Sequence, residues 1–339
     1  GGHYERSPMY HGIVLQDLLD VATLQKNNDQ TVDPGIQRSI SSMLEWLRLM
    51  SHPDGEIGQF NDSALKVSST YNTLFQWAKN LGVVSGSHRN LANLEMLPAS
   101  GFYRLQNDWA TILADCGSVG PDEQPGHAHA ESLSFEMSIG GRRCFVNEGV
   151  STYEAGPKRL KERGSQAHNT VEIDQTDSSE VWSSFRMGRR AKVFLEQVSD
   201  DDSFQRVRSS HDGYRMLFGQ PRHLRELTLY HNRLVVEDII SGGGKHHIES
   251  RLRIHPEWEV LHFSADLMEI QIGHKEISFL PVHLKVAGDG REVGFRLVQS
   301  KWNQTFGKTV DCACVVVIWE GILPIHLKVE IWNGVCLGN

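Results

Sequence analysis

The stretch Gly126-His127-Ala128-His129-Ala130-Glu131 lies in a strand-rich part of the chain and is followed further on by Gln166-Ala167-His168-Asn169-Thr170. Alternate side chains of a β-strand share a face, so a strand here would place both histidines and the glutamate of the first stretch on one side. The histidine of the second stretch could complete the cluster from a neighbouring strand. Such a cluster of imidazoles with an acidic neighbour indicates either a metal site or the wall of an active site.

The sequence around these stretches alternates short apolar runs with polar residues, which is the period of β-strands. Glycine turns such as Gly140-Gly141 and Gly242-Gly243-Gly244 separate the runs. This pattern predicts a large antiparallel β-sandwich. The predicted strands cover Ser132–Ile139, Thr170–Ile173, Leu224–Tyr230, Arg233–Ile239, His247–Ile254, Val315–Trp319 and Ile325–Trp332.

The first part of the chain has a helical period instead. Apolar residues recur at helical spacing across Tyr10–Leu24, and Asp33-Pro34 supplies an N-cap with proline in the first turn of a second helix. A third, weaker helical pattern covers Ala64–Asn80. The sequence therefore predicts an α+β multidomain protein, with helices in residues 1–95 and the sandwich in residues 96–339.

The amino-acid composition argues against some classes of protein. The chain has 339 residues, of which 39% are hydrophobic and 22% charged, and its formal net charge is −8. A negative balance argues against nonspecific binding to nucleic acid or to an anionic membrane surface. The sequence contains no apolar run long enough for a membrane-spanning helix. It starts at Gly1-Gly2 without a methionine, so we expect further residues upstream in the gene product.

Several separated motifs resemble a known family. Gly2-His3-Tyr4-Glu5-Arg6-Ser7-Pro8-Met9-Tyr10-His11, the Gly126–Glu131 stretch and Ala167-His168-Asn169-Thr170-Val171 resemble the heparinase II/III-like polysaccharide lyases. Residues 177–182 and 185–191 resemble the strand pair that follows the family's histidine loop. The resemblance implies a truncated (α/α) toroid, represented by its last helices, followed by the complete sandwich. Three or four helices cannot close a toroid, so we expect more helices upstream.

The resemblance implies a carbon–oxygen lyase that cleaves uronic-acid-containing acidic polysaccharide by β-elimination. It also implies a bacterial protein in a periplasmic or secreted setting, and it leaves the oligomeric state open. A noncatalytic acidic-polysaccharide-binding or polysaccharide-assembly protein with the same fold is the alternative. A metal hydrolase fits less well, because no carboxylate is clearly placed as the base that would activate water.

The resemblance also assigns roles to single residues. Tyr10 matches the family's catalytic tyrosine as base and acid, His127 the histidine beside the bound uronate, and Tyr153 a further tyrosine of the cleft. From the residues alone, a packing tyrosine, a structural histidine and salt-bridged arginines remain the commoner alternatives. The expected substrate-binding residues, which include guanidinium groups able to bind sulfate or carboxylate in a bidentate manner, are His11, Arg163, Arg186 and Arg190.

A structural divalent metal ion such as zinc is the cofactor that the resemblance implies. His129 and His168 match two of the family's ligands, and the third is usually an aspartate in a turn that here reads Val146-Asn147-Glu148-Gly149. The neutral amide of Asn147 is a poor ligand for zinc, so Glu148 is the expected third ligand. The alternative is a hydrogen-bonded network that contains no metal.

A connection between the predicted helices contains Gln59-Phe60-Asn61-Asp62-Ser63. Asn61 and Asp62 could face the substrate cleft, and a loop cap explains them equally well. No motif encodes which polysaccharide is bound or whether cleavage is endo or exo.

Overall fold

The computed structural model describes residues 1–85, 91–276 and 281–334. Three α-helices come first in the chain: α1 (Pro8–Asn27), α2 (Pro34–Leu49) and α3 (Tyr71–Asn80). A short fourth helix, α4 (Pro157–Arg163), lies within the strand-rich part. None of the helices in these ranges is both long and apolar enough to span a lipid bilayer.

The helix starts follow from capping residues. The side chain of Asp33 accepts hydrogen bonds from the amides of the first turn of α2, as the Asp33-Pro34 pair predicts. Ser7 caps α1 in the same manner by accepting from the Tyr10 amide. The predicted start of α3 at Ala64 is wrong, because Thr70 is the N-cap and Lys66 has a φ of +63°, which is incompatible with a helix.

Three antiparallel sheets and one short hairpin follow the first helices. The five-stranded sheet has the order β1 (Leu94–Leu97), β2 (Phe102–Gln106), β3 (Ala110–Asp115), β4 (Phe135–Ile139), β5 (Arg142–Phe145). The four-stranded sheet has the order β17-β18-β13-β6, with β6 (Val171–Ile173), β13 (Lys245–Arg253), β17 (Gly294–Thr305) and β18 (Lys308–Ile322). The hairpin pairs β7 (Val181–Trp182) with β8 (Arg186–Met187).

The eight-stranded sheet has the order β14-β15-β16-β19-β12-β11-β10-β9. Its strands are β9 (Val193–Asp200), β10 (Phe204–His211), β11 (Arg222–Tyr230), β12 (Arg233–Ser241), β14 (Trp258–Ser264), β15 (Glu269–His274), β16 (Val282–Gly288) and β19 (Ile325–Asn333). Each strand predicted from sequence overlaps one observed strand, and the predicted strand pair after the histidine loop is β7–β8.

One apolar core joins the three large sheets. Ile112 of the five-stranded sheet, Val236 of the eight-stranded sheet and Val317 of the four-stranded sheet all belong to it. The predicted class, helices followed by a large antiparallel β-sandwich, is therefore confirmed. The helices have a core of their own, which Val146 and Trp302 of the sandwich enter. The toroid and the boundary at residue 95 stay predictions, and part of the connection to β1 lies outside the described residues.

A buried carboxylate on β4 connects the helical part to the sandwich. Glu136 accepts hydrogen bonds from His52 Nε2 at 3.0 Å and from the backbone amides of Gln59 at 3.1 Å and Asn147 at 2.9 Å. Burial alone raises the pKa of Glu136, but the hydrogen bond from His52 and the nearby charge of Arg143 outweigh burial and hold the pKa below its ordinary value. These directional bonds set how the segment after α2 sits on the sandwich.

We expect Glu136→Gln to lower the free energy of unfolding by roughly 3 kcal/mol, because the variant removes the buried anion that accepts from three donors and turns an amide NH2 group toward at least one of them. Urea unfolding of the two proteins measures the difference. Glu320→Gln is the control, since the ion pair of Glu320 with Lys245 is exposed, and its midpoint should match that of the parent. A Glu136→Gln midpoint equal to that of the control would contradict the assigned role.

Candidate active site and metal-ligand cluster

The histidine stretch forms a turn and an irregular loop, so the expected strand is wrong. Pro125–His127 is one turn of 3-10 helix, and the next strand begins only at Phe135. The proline fixes its own φ near the helical value, which favours the turn. Both histidines still reach one carboxylate: His127 Nδ1 lies 2.9 Å from Asp62 Oδ2, and His129 Nε2 lies 2.8 Å from Asp62 Oδ1.

Asp62 also forms a bidentate ion pair with Arg159 of α4, at 2.5 and 2.7 Å. Both side chains are completely buried. Burial alone raises the pKa of Asp62, but hydrogen bonds from the two histidines and the guanidinium outweigh burial and hold the pKa far below its usual range. The central acceptor of the site is therefore a buried anion, and neither its role nor that of Arg159 was among the sequence-based assignments.

The backbone around Asp62 is held in place from both sides. Ser7 Oγ, the cap of α1, donates to the Asp62 carbonyl at 2.7 Å, and the Asp62 amide donates to the His127 carbonyl at 3.0 Å. Asn61 has a φ of +54° and gives its amide hydrogen to Glu131 Oε1 at 2.6 Å. Asn61 thus connects loops, whereas Asp62 organises the site.

The structure brings the three sequence-predicted catalytic residues together. The Tyr10 hydroxyl lies 3.1 Å from the Tyr153 hydroxyl, and the Tyr10 ring centroid lies 4.2 Å from that of His127. The Tyr153 ring packs edge-on against Phe185, with 5.1 Å between the ring centroids. The Arg159 guanidinium carbon lies 4.9 Å from the centroid of the same tyrosine ring. Burial raises the pKa of both tyrosines, so both phenols are protonated near neutral pH. The roles of the three residues stay predictions.

An open cavity of about 560 Å³ adjoins His127, a volume within the usual range of ligand sites. His127 Nε2 lies 3.9 Å from Glu5 Oε2 at this side of the site. Phe185 and Arg186 contribute exposed side chains to the wall. The cavity is lined by Glu123, Gln124, Pro125, Gly126, His127, Ser183, Ser184, Phe185, Arg186 and Met187.

The assignment of His11 and Arg163 to substrate binding is corrected by their burial. His11 Nε2 lies 2.8 Å from the Met43 carbonyl and its ring stacks on Trp46 at 4.3 Å. Burial lowers the pKa of His11 to about 3, which keeps the imidazole neutral. The Arg163 guanidinium is also fully buried and donates to backbone carbonyl groups. The polar atoms of both residues are committed inside the protein and do not face the cavity.

The other two expected arginines lie in different places. Arg186 lines the His127 cavity. Arg190 lines a separate cavity of about 520 Å³, where its guanidinium donates to the carbonyls of Val119 and Pro121 at 3.0 Å each and to Asp122 at 2.5 Å. Of the four expected substrate-binding residues, Arg186 is thus the one that faces the same cavity as His127.

A compact cluster of three side chains with the chemistry of metal ligands lies beside Asp62. Each of the buried residues His129, Glu131 and His168 offers one ligand atom, and these atoms lie within 4.8 Å of one another. The expected ligand Glu148 is not part of the cluster, since its carboxylate pairs with Arg253 at 3.1 Å and with a lysine of α4 at 3.4 Å. The acidic member of the cluster is therefore Glu131, which corrects the assignment of Glu148.

Asn147, at the family's usual aspartate position, has a different role here. Its Oδ1 accepts from the Asn169 amide at 3.2 Å, and its Nδ2 donates to the Gln59 carbonyl at 3.4 Å. The neutral amide satisfies one donor and one acceptor, which a carboxylate could not do. The asparagine is thus explained by hydrogen bonding and not by metal binding.

Several buried atoms of the cluster have no hydrogen-bond partner in the part of the chain that the structure describes: His129 Nδ1, Glu131 Oε2 and both ring nitrogens of His168. His168 Nδ1 lies 3.1 Å from Glu131 Oε2, but the two are not aligned for a hydrogen bond. A buried unpaired polar group costs about 1–3 kcal/mol, so their convergence calls for a compensating group. Burial lowers the pKa of His129 to about 4, and a neutral imidazole is the form that binds metals. The residues fit a divalent metal better than a self-contained hydrogen-bonded network.

The C-terminal domain described as heparinase II/III-like matches residues 89–311 of the sequence, about two thirds of the chain. The chain belongs to the heparinase II/III-like family. Its fold is similar to that of a heparan sulfate lyase from Pedobacter heparinus, with a TM-score of 0.77, 15% identity, and coverage of 98% of this chain and 53% of that chain. A structure of heparinase III has a TM-score of 0.78 at 17% identity, with coverage of 98% and 55%.

A Paenibacillus xanthan lyase is similar at a TM-score of 0.54 and 8% identity, with coverage of 99% of this chain and 39% of that chain. At these identities the likeness establishes the heparinase II/III-like fold alone. The chain spans about half the length of the heparan sulfate lyase and of heparinase III. No protein of curated function matches the chain in sequence.

In this heparinase II/III-like chain, we expect Asp62→Asn to lower the free energy of unfolding by about 3–5 kcal/mol, because the buried Arg159 charge loses its anion. Amide hydrogen exchange of residues 126–131 should become faster, since the asparagine oxygen can accept from one of the two histidines and its NH2 group faces the other. Denaturant unfolding and hydrogen-exchange mass spectrometry measure the two effects. Glu123→Gln, an exposed residue of the cavity rim, is the control. Unchanged exchange in this loop would contradict the role of Asp62.

Proposed function

We propose that the protein is a polysaccharide lyase, a carbon–oxygen lyase that cleaves a uronic-acid-containing acidic polysaccharide by β-elimination. The contact between Tyr10 of the helical part and His127 of the sandwich carries this proposal, because the two rings lie 4.2 Å apart and His127 lines an open cavity. β-Elimination needs a base at C5 and an acid at the departing O4 oxygen, and these side chains offer both. The similar folds of a heparan sulfate lyase and a xanthan lyase support a polysaccharide as substrate.

His127 has the geometry of the base. Asp62, which Arg159 holds in a bidentate pair, accepts the hydrogen of His127 Nδ1. This tautomer leaves a lone pair on Nε2. In the proposed step Nε2 removes the C5 proton of the uronate, the electron pair forms a C4–C5 double bond, and the C4–O4 bond breaks.

Tyr10 has the properties of the acid. Burial raises the pKa of its phenol, which is protonated and can donate to the departing O4 oxygen. The hydroxyl of Tyr153 lies 3.1 Å from that of Tyr10 and fixes its direction. The proton on His127 then returns to the tyrosinate through water. This assignment separates the base from the acid, whereas the sequence-based expectation gave both roles to Tyr10.

The uronate carboxylate raises the barrier, because proton removal at C5 places a second negative charge beside it. A cation near this carboxylate lowers the barrier. Arg186 is exposed on the wall of the His127 cavity, and we propose that its guanidinium binds the uronate carboxylate.

We also propose that the protein is bacterial and works in the periplasm or outside the cell, as the resemblance implies.

We expect Tyr10→Phe to lower kcat/KM by at least about a hundredfold, because the acid is lost while the ring remains. The absorbance of the unsaturated uronate measures turnover of heparan sulfate, hyaluronan, chondroitin sulfate and alginate by the complete protein. Tyr230→Phe, on β11 and outside the site, should keep the parental rate.

A Tyr10→Phe protein with the parental rate would remove the assignment of the acid. If the parent protein binds one of these polysaccharides and releases no unsaturated product, the noncatalytic binding function replaces the lyase.

We further propose that His129, Glu131 and His168 hold one divalent metal ion, and zinc suits a set of two imidazoles and a carboxylate. His129 Nδ1 has no hydrogen-bond partner among the described residues, while Nε2 of the same ring bonds to Asp62. Such a carboxylate–histidine pair orients a metal ligand. When bound, the ion supplies positive charge that compensates Glu131 and cross-links the two histidine segments.

Elemental analysis of the protein purified without chelator should show one divalent metal per chain. We expect Glu131→Gln to lose the metal, because the anionic ligand is removed, and Glu148→Gln to keep it. Chelation should lower the thermal midpoint of the parent and leave Glu131→Gln unaffected; at a metal concentration of 100 times Kd the stabilisation is about 2.7 kcal/mol. Equal metal content in both variants, or none in the parent, would refute the ligand set.

A further inference from the structure

A second cavity, of about 240 Å³, lies on the four-stranded sheet and shares no lining residue with the His127 cavity. Its floor is apolar and is formed by Val298, Cys314, Val316 and Ile318. In the strand register, Arg296 of β17 and Arg251 of β13 both lie opposite Val316 of β18. Because directly opposed residues share a face of the sheet, the two guanidinium groups flank the apolar floor from either side.

The charge around this cavity is positive. Four cationic side chains line it, and three carboxylates pair with them: Glu148 with two of the cations, and Glu172 and Glu249 with Arg251. The balance of four against three leaves one positive charge, in a chain whose formal net charge is −8. The four cationic residues are Lys161, Arg251, Arg253 and Arg296.

Two of these cations remain available to a ligand. Arg296 is exposed and has no hydrogen-bond or ion-pair partner among the residues that the structure describes. The Lys161 side chain is 42% exposed, and its contact with Glu148 is long, at 3.4 Å. Arg253, in contrast, is buried and donates to Ser300, to two backbone carbonyls and to Glu148. The cavity thus has one cation, Arg253, that is held in place at its base, and two hydrogen-bond donors, Arg296 and Lys161, that a ligand can reach at its rim.

We propose that this cavity binds an anionic sugar residue of the polysaccharide, outside the catalytic cavity. Guanidinium and ammonium groups recognise sulfate or carboxylate, and the apolar floor suits the C–H face of a sugar ring. The volume is below that of most drug-sized ligand sites, so one sugar residue is the fitting ligand. The choice of a polysaccharide rests on the proposed function, whereas the anion selectivity rests on the cavity itself.

Binding of a fluorescein-labelled heparan sulfate octasaccharide, followed by fluorescence anisotropy, tests the proposal. All proteins carry Tyr10→Phe, so that cleavage does not deplete the probe. We expect the pair Arg296→Gln and Lys161→Gln to weaken binding by about three- to tenfold, since two charged contacts are lost. The matched control pair is Lys26→Gln and Lys79→Gln, which removes the same charge from exposed positions of the first helices. Hydrogen exchange should show that the octasaccharide protects β17 in the control pair and not in the cavity pair.

Equal affinities and equal protection in the two pairs would overturn the proposal even if the parent protein cleaves heparan sulfate. Protection of β17 that the cavity pair abolishes would support it even if no polysaccharide is cleaved, in which case the lyase function alone fails. Titration with inorganic sulfate at constant ionic strength is a further arm. If sulfate alone protects β17 as strongly as the octasaccharide does, the ligand is a free anion and the saccharide assignment is wrong.

Discussion

The buried negative charge of Asp62 is the constraint on which the candidate site depends. An ionised carboxylate without solvent contact is tolerated only if donors surround it, and here the donors come from two histidines of one loop and from Arg159 of α4. The carbonyl of the same residue binds the cap of α1, the helix that carries Tyr10. Movement of any one of these segments would leave charge or hydrogen-bonding capacity unpaired. Several independent contacts to Asp62 therefore hold Tyr10 and His127 close together.

Polar contacts of the same kind orient the helical part on the sandwich. Apolar packing such as that of Trp46 on Phe102, at 6.0 Å between ring centroids, stabilises the interface without fixing its register. The hydrogen bonds to Glu136 are directional and allow one arrangement. Trp302 contributes in the same way, because its indole enters the helical core while its Nε1 donates to Gln59 at 2.7 Å. Association of the two parts thus combines nonspecific burial with specific polar contacts.

The sequence allowed the fold class and many elements to be predicted because their signals are local. Alternation of apolar and polar residues identified strands such as β11 and β12, and Asp33-Pro34 located the start of α2. The order of the strands was not predictable in this way, because it depends on pairing between distant segments. The histidine loop was misjudged although Pro125-Gly126 is itself a turn signal.

Residues of the candidate site that lie in local motifs could be predicted from the sequence. Residues that belong to the site through contacts with distant parts of the chain could not. Tyr10 and His127 lie in motifs and were found to be neighbours. The partner of Asp62 lies 97 residues further along the chain at Arg159, and no local pattern connects the two. Glu148 was favoured because of its place in a turn, yet it pairs with Arg253, which is 105 residues away. The sequence next to a residue cannot show which distant cation will occupy its carboxylate.

The shortness of α4 has a consequence for how related proteins can diverge. Within seven residues the helix turns Arg159 inward to Asp62 and leaves Lys161 at the surface. Exchange of the inward residue disturbs a buried ion pair, whereas exchange of the outward one removes a long contact with Glu148, which keeps its pair with Arg253. Position 161 can therefore vary among homologues at a lower cost in folding stability than position 159.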